Sequence, residues 1–135
     1  MKCKEIYDSA LRVLAESTLP ADNDDYEERA PYLIATFCGE LAGTDAALRR
    51  IMGKGVAKEF NEVYRPLDND FPLLSRFASA AALYLAAMLI IDDEQDFSDK
   101  LYDRYCDKIS SICSTVPALS EKIKNKYFFD GGIRQ

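Results

Sequence analysis

Oxygen-bearing side chains are crowded in the segment DDEQDFSDKLYD, which begins at residue 92. They fall at positions one, three, five, seven and twelve, the spacing of a calcium-binding EF-hand loop: Asp92, Glu94, Asp96, Ser98 and Asp103. However, Phe97 stands where the sharp turn of that loop needs glycine, and the last position is Asp where a bidentate Glu is usual. We therefore interpret these acids as a solvated turn and the cap of a following helix, and we predict no metal site.

The sequence also gives no support for a nucleophilic catalytic site. The chain contains no His, and its four cysteines form no CxxC pair: Cys3, Cys38, Cys106 and Cys113. A Ser or Cys nucleophile would have no imidazole base beside it, and GKG at 53–55 is too short to cradle phosphates. We predict reduced, mostly buried cysteines, no catalytic residues, no cofactor and no enzymatic activity.

Charge and hydropathy exclude two further classes of partner. With 17 basic and 23 acidic residues, the net charge of −6 gives no general attraction to nucleic acid. The apolar run FASAAALYLAAMLII at 77–91 has 15 residues between Arg76 and Asp92, whereas a membrane-spanning helix needs roughly 20. Charged residues interrupt the N-terminal segment where a signal peptide needs an apolar stretch. We expect a cytoplasmic protein whose main partner is neither a membrane nor a nucleic acid.

The elements that position these residues are predicted to be helices, because apolar residues recur at spacings of three and four and no alternating strand pattern is present. The predicted helices cover 3–17, 25–42, 44–52, about 71–92, 96–114 and a last one from residue 117, with 56–70 unassigned. Gly43 is expected to separate the second helix from the third. The helix at 71–92 is apolar nearly all round. We predict an all-α, single-domain bundle of five or six helices, covering residues 1–135, around this central helix.

The C-terminal part of the chain differs in charge from the segment before it. Residues 92–107 contain seven acids against two basic residues, whereas 117–135 contain four basic residues against two acids. The basic residues also suit the C-terminal end of a helix, where they complement its dipole. The tail YFFDGGIRQ at 127–135 carries large apolar residues, which must be buried against the same domain, a neighbouring copy or another protein. The predicted interface residues are Asp92, Asp93, Glu94, Asp96, Tyr127, Phe128, Phe129, Ile133 and Arg134.

Several of these stretches are similar to a family of small uncharacterised proteins from bacteriophages and prophages of Firmicutes. The resemblance lies in EERAPYLI at 27–34, PLDNDFPLLSRF at 66–77, LYLAAMLIIDDEQDF at 83–97, the RY of residues 104 and 105, and GGI at 131–133. Such proteins are encoded in the structural block, near head and tail genes. The chain departs from the family pattern at Ser79 and Ala80, where Tyr and Gly are expected, and in FFDGG. The resemblance implies a helical head–tail connector, adaptor or tail-completion protein without catalytic residues.

These observations favour a non-enzymatic virion assembly protein that acts through protein–protein contacts. The implied partners are portal or tail proteins, or further copies of the chain in a ring. The implied location is the bacterial cytoplasm, and the virion if the chain is a phage protein. The alternative hypothesis is a small cytoplasmic adaptor or regulatory protein that binds a single protein partner and forms no ring.

Overall fold

The computed structural model of this protein describes residues 1–15, 24–55 and 60–114. Four α-helices occur in these ranges: α1 (Cys3–Leu14), α2 (Asp24–Ile51), α3 (Ala78–Ile90) and α4 (Gln95–Ser114), with a 3₁₀ turn at Ser75–Phe77 before α3. The only strand-like pairing within them is one isolated bridge between Lys2 and Asp70. The predicted all-α class is confirmed, although these ranges contain four α-helices where five or six were predicted for the chain. The helix predicted from residue 117 lies outside the described residues.

α3 is the central helix, as predicted, and packs against α1, α2 and α4. Ten of its 13 residues are buried, and five of these are alanines that lie among larger side chains such as Leu85 and Leu89. Short alanine side chains let the neighbouring helices approach closely, and the leucines fill the space between them. In the described ranges, none of the helices is both long and apolar enough to cross a bilayer.

The predicted break at Gly43 is wrong, because α2 runs without interruption from Asp24 to Ile51. Gly43 is exposed and has no heavy atom near the place where a side chain would stand. Its cost is therefore the backbone freedom lost in a helix, about 1 kcal/mol relative to alanine. Leu41 and Leu48, on either side, are buried in the core, and each such burial contributes roughly 1.5–3 kcal/mol. Packing on both sides of the glycine outweighs the local preference for a break.

α2 ends instead just before Gly53, the first glycine of the GKG segment at 53–55. Gly53 has a φ of 73°, the left-handed conformation that glycine adopts without strain. The N–H of Lys54 donates to the carbonyl of Arg49 at 2.7 Å, and the N–H of Gly53 donates to that of Arg50 at 3.2 Å. This pair of bonds is a Schellman motif, which satisfies carbonyls that the helix itself leaves unpaired.

α3 begins at Ala78, so the predicted start near residue 71 is wrong. Pro72 disfavours a helical conformation in the residue before it. The N–H of Leu74 donates to Oδ1 of Asp45 at 2.8 Å. Arg49 donates to Oδ2 of Asp45 at 2.8 Å and to the carbonyl of Pro72 at 3.3 Å. Asp45 thus anchors the approach to α3.

The extended segment before α3 also pairs with the start of α1. The first N–H groups of a helix have no partner within it. Here Cys3 donates to the carbonyl of Asn69 at 2.9 Å and Lys4 donates to that of Leu67 at 2.8 Å. In return, Phe71 donates to the carbonyl of Met1 at 2.8 Å. The segment that periodicity left unassigned therefore completes the first turn of α1.

Candidate protein-interaction site

The predicted acidic surface forms the short turn between α3 and α4, which we call the acidic turn. Asp92, Asp93 and Asp96 are exposed, whereas Glu94 is half-buried. The N–H groups of Asp93 and Glu94 both donate to the carbonyl of Ile90, at 3.0 and 2.9 Å. Oε2 of Glu94 is buried and has no hydrogen-bond partner among the described residues. The fold thus brings the four predicted acids together and exposes three of them.

Two side chains from other helices hold the end of α3 beneath this turn. Arg29 of α2 donates to the carbonyls of Met88 at 2.9 Å and Leu89 at 3.4 Å. The hydroxyl of Ser98 in α4 donates to the carbonyl of Ala87 at 2.8 Å. These carbonyls lie at the negative end of the helix dipole, which a guanidinium stabilises. The acidic turn is therefore fixed to both α2 and α4.

A buried tyrosine lies close to the same turn. The pKa of Tyr26 is raised, first because the phenol is buried and second because the Asp93 carboxylate is near. Arg29 opposes this shift, and Glu94 adds to it. Tyr26 therefore stays protonated at neutral pH, and the local charge is set by the carboxylates.

The EF-hand spacing does not produce a cation site. α4 starts at Gln95, so the later positions of the segment lie on a helix and cannot wrap around an ion. Ser98 is also occupied by its bond to Ala87. No group of three or more Cys, Asp or Glu side chains suited to a metal occurs in residues 1–15, 24–55 and 60–114.

The other half of the predicted interface cannot be placed. Tyr127, Phe128, Phe129, Ile133 and Arg134 all lie outside the described residues, so their assignment stays a prediction.

A second exposed surface was missed by the sequence analysis, and we call it the aromatic surface. It consists of Tyr32, Val63 and Tyr64, which are 55%, 78% and 46% exposed. The rings of Tyr32 and Tyr64 meet edge to face with their centroids 4.9 Å apart. The available signal was a pair of apolar residues in an otherwise polar segment, but periodicity assigned that segment to no element.

Arg65 fixes the backbone that carries this surface. Its Nε and Nη2 donate to the carbonyl of Asp70 at 3.1 and 2.7 Å, and its Nη1 donates to both carboxylate oxygens of Glu62 at 3.1 Å. Its backbone N–H donates to the carbonyl of Pro31 in α2 at 3.0 Å. Tyr64 is therefore held beside Tyr32 by the residue that follows it.

A groove of about 790 Å³ lies between α1 and α4, with the start of α3 as its floor. Small side chains line it from all three helices, among them Ser9 of α1, Ser79 and Ala82 of α3, and Ser111 of α4. Charged side chains of both signs stand around it, and Lys108 is one of them.

The thiols are poor nucleophiles. Burial raises the pKa of all four cysteines, that of Cys38 to about 12. Cys106 alone is exposed, and the carboxylates of Asp103 and Asp107 add to the increase in its pKa. All four are free thiols, and a protonated thiol is a weak nucleophile.

The described residues thus present two exposed surfaces, the acidic turn and the aromatic surface, and one groove. Comparison with known proteins finds no family model, no curated protein and no solved structure that matches this chain.

Proposed function

We propose that this protein is a non-enzymatic assembly protein of a phage or prophage virion, of the head–tail connector, adaptor or tail-completion type. It acts through protein–protein contacts. The observation that carries the proposal is the aromatic surface, in which Val63 and Tyr64, on a segment fixed by Arg65, are exposed beside Tyr32 of α2. Tyrosine is enriched among the residues that dominate binding energy at protein interfaces.

Preorganisation makes this surface suitable for binding. Ordering a loop on association reduces affinity, and a side chain already held in place avoids that loss. Tyr64 is held against Tyr32 in the free protein, and Val63 is more exposed than any other large apolar side chain in the described residues. The surface therefore offers contact area at a small ordering cost.

We further propose that the acidic turn forms a polar border to the same contact. Arg29, which holds the turn, precedes Tyr32 by three residues on α2, and residues at that spacing share one helix face. An apolar centre with a charged border is the usual anatomy of a protein interface. The partner that fits has an apolar patch beside basic residues.

The resemblance of several helical stretches to phage structural-block proteins supports a virion component as this partner. Portal and tail proteins are the first candidates, and a further copy of the chain is the third. A ring would follow if head-to-tail contacts between copies close on themselves.

Mass measurement with matched variants tests the proposal. The chain is expressed alone and together with candidate phage portal and tail proteins, and light scattering over a range of concentrations gives the mass of each complex. We expect Tyr64→Ala combined with Val63→Asp to abolish the complex or ring. The control is Tyr102→Ala, because Tyr102 is 41% exposed and also packs against a second tyrosine ring. The control is expected to assemble normally.

Two outcomes would overturn the proposal. A strict monomer that binds none of the structural proteins at high concentration would favour the single-partner cytoplasmic adaptor. Equal loss of assembly in the control and in the double variant would show that the aromatic surface is not part of the contact.

A further inference from the structure

The groove between α1 and α4 adjoins the point where the described chain stops. Ser111 lines the groove, and Ser114 is the last residue of α4. The chain continues for 21 residues after Ser114. Whatever follows α4 therefore starts beside one end of the groove.

We propose that this groove is the docking site for residues 116–126 of the same chain, VPALSEKIKNK. Pro117 lacks a backbone N–H and cannot continue a preceding helix, so the chain can change direction directly after α4. Val116, Leu119 and Ile123 are spaced by three and four residues, which is the spacing of a single apolar face. The proposal does not depend on the function proposed above.

The length of the segment suits the groove. The part of α4 that borders it extends from Arg104 to Ser111, about 10 Å of helix. Eleven residues cover that length even as an α-helix, which would span about 16 Å. The floor of Ala78, Ser79 and Ala82 leaves room for larger side chains such as Leu119 and Ile123.

Charge also favours this occupant. Residues 115–135 carry four basic and two acidic side chains, whereas residues 1–114 carry 13 basic and 21 acidic ones. The border of the groove has both signs, with Glu5 and Asp107 against Arg104 and Lys108, so the attraction comes from the molecule as a whole. Because a short connection joins the segment to α4, the effective concentration of the segment at the groove is on the order of millimolar. This concentration does not depend on how much protein is in solution. The segment of the same chain is thereby favoured over that of a second copy.

Disulfide trapping in the full-length chain tests the proposal. The background carries Cys106→Ser to remove the exposed thiol. Ser9→Cys in the groove is combined with Leu119→Cys, and the control pair combines Leu119→Cys with Thr36→Cys, an exposed position on α2. Leu119→Cys alone reports any bridge to a native thiol. We expect an intramolecular bridge for the groove pair and none for the control pair.

Three results of trapping would overturn the proposal: no bridge, equal bridging in both pairs, or bridges only between molecules. The last would assign the groove to a second copy.

Protection of a groove thiol provides an independent measurement. Ser79→Cys, again with Cys106→Ser, places a thiol at an exposed position on the floor of the groove. We expect Leu119→Asp with Ile123→Asp to increase its labelling rate by about tenfold or more, since the segment would no longer cover it. The labelling rate of Thr36→Cys is expected to stay the same. An unchanged rate at Ser79→Cys would contradict the proposal.

Discussion

Asp45 is the one acidic side chain that is fully buried among the described residues, and it serves two elements at once. One of its oxygens accepts the N–H of Leu74, and the other accepts the guanidinium of Arg49. Without the carboxylate, a buried N–H and a largely buried cation would both lose a partner. The loss of these two partners lowers the free energy of unfolding by more than an exposed ion pair contributes to it.

We predict that Asp45→Ala lowers the free energy of unfolding by about 2–4 kcal/mol. Asp8→Ala is the matched control, because Asp8 forms the same four-residue pairing with Lys4 on an exposed helix surface. Its expected effect is below about 0.5 kcal/mol. Urea denaturation followed by circular dichroism measures both values. Effects of similar size in the two variants would show that the buried position of Asp45 is unimportant.

The paired phenols of the core predict a pH dependence. Tyr84 and Tyr105 lie with ring centroids 5.3 Å apart, and burial raises the pKa of both from the ordinary value of 10.0. Since the native state favours the neutral phenols, their contribution to stability is complete below pH 10 and is lost as the pH rises further. The expected decrease is at most about 1.4 kcal/mol per pH unit for each tyrosine.

Denaturation curves from pH 9 to pH 11.5 measure this decrease. The control is the double variant Tyr84→Phe and Tyr105→Phe, which keeps the rings and removes the titrating groups. Its stability is expected to fall less steeply, because only the remaining groups, such as the buried thiols, still titrate. An identical slope in the two proteins would contradict the assignment.

At the level of the elements, α2 holds both ends of the central helix. Near its start, Arg29 binds the last carbonyls of α3, and near its end Asp45 and Arg49 hold the residues that lead into α3. This arrangement requires one unbroken α2 that runs antiparallel to α3. A break at Gly43 would uncouple the two anchors.

Two glycine substitutions test that continuity. Gly43→Ala is expected to raise the free energy of unfolding by about 0.5–1 kcal/mol, because the position is helical, exposed and free of contacts. Gly53→Ala is expected to lower it by about 1 kcal/mol, because alanine is strained at a φ of 73°. Thermal and urea denaturation give both values. A loss of stability with Gly43→Ala would indicate that the backbone there is not helical.

Local sequence signals predicted the elements well where packing agrees with them. The spacing of Ile6, Ala10 and Leu14 located α1, and the spacing of Leu101, Tyr105 and Ile112 located α4. The predicted boundaries were wrong where residues distant in sequence determine the structure. Gly43 stays helical because of the core on both sides, and the start of α3 is delayed by a carboxylate 29 positions earlier in the chain.

On the scale of the whole molecule, the central position of α3 was predictable because a helix that is apolar all round has to be surrounded. The acidic turn was likewise predictable from a run of acids between two helices. The aromatic surface was not, since it depends on Arg65 bringing a non-helical segment against α2. No periodicity encodes such a long-range backbone contact.

The positions of the four thiols predict how many of them react with a disulfide reagent in the native protein. Cys3, Cys38 and Cys113 are buried, whereas Cys106 is exposed on α4. We expect one thiol to react with a disulfide reagent in the native protein and four after unfolding in urea. Cys106→Ser is expected to remove the native reaction. Rapid reaction of two or more native thiols would show that the bundle opens at one of the three buried positions.

The bonds between the first turn of α1 and residues 67–71 also affect the order of events during synthesis. The carbonyls that receive the N–H groups of Cys3 and Lys4 belong to Asn69 and Leu67, which leave the ribosome much later. Until then, the N–H groups of Cys3 and Lys4 have only water as a partner. We therefore expect the first turn of α1 to stay sensitive to proteases in the nascent chain until the segment before α3 has emerged.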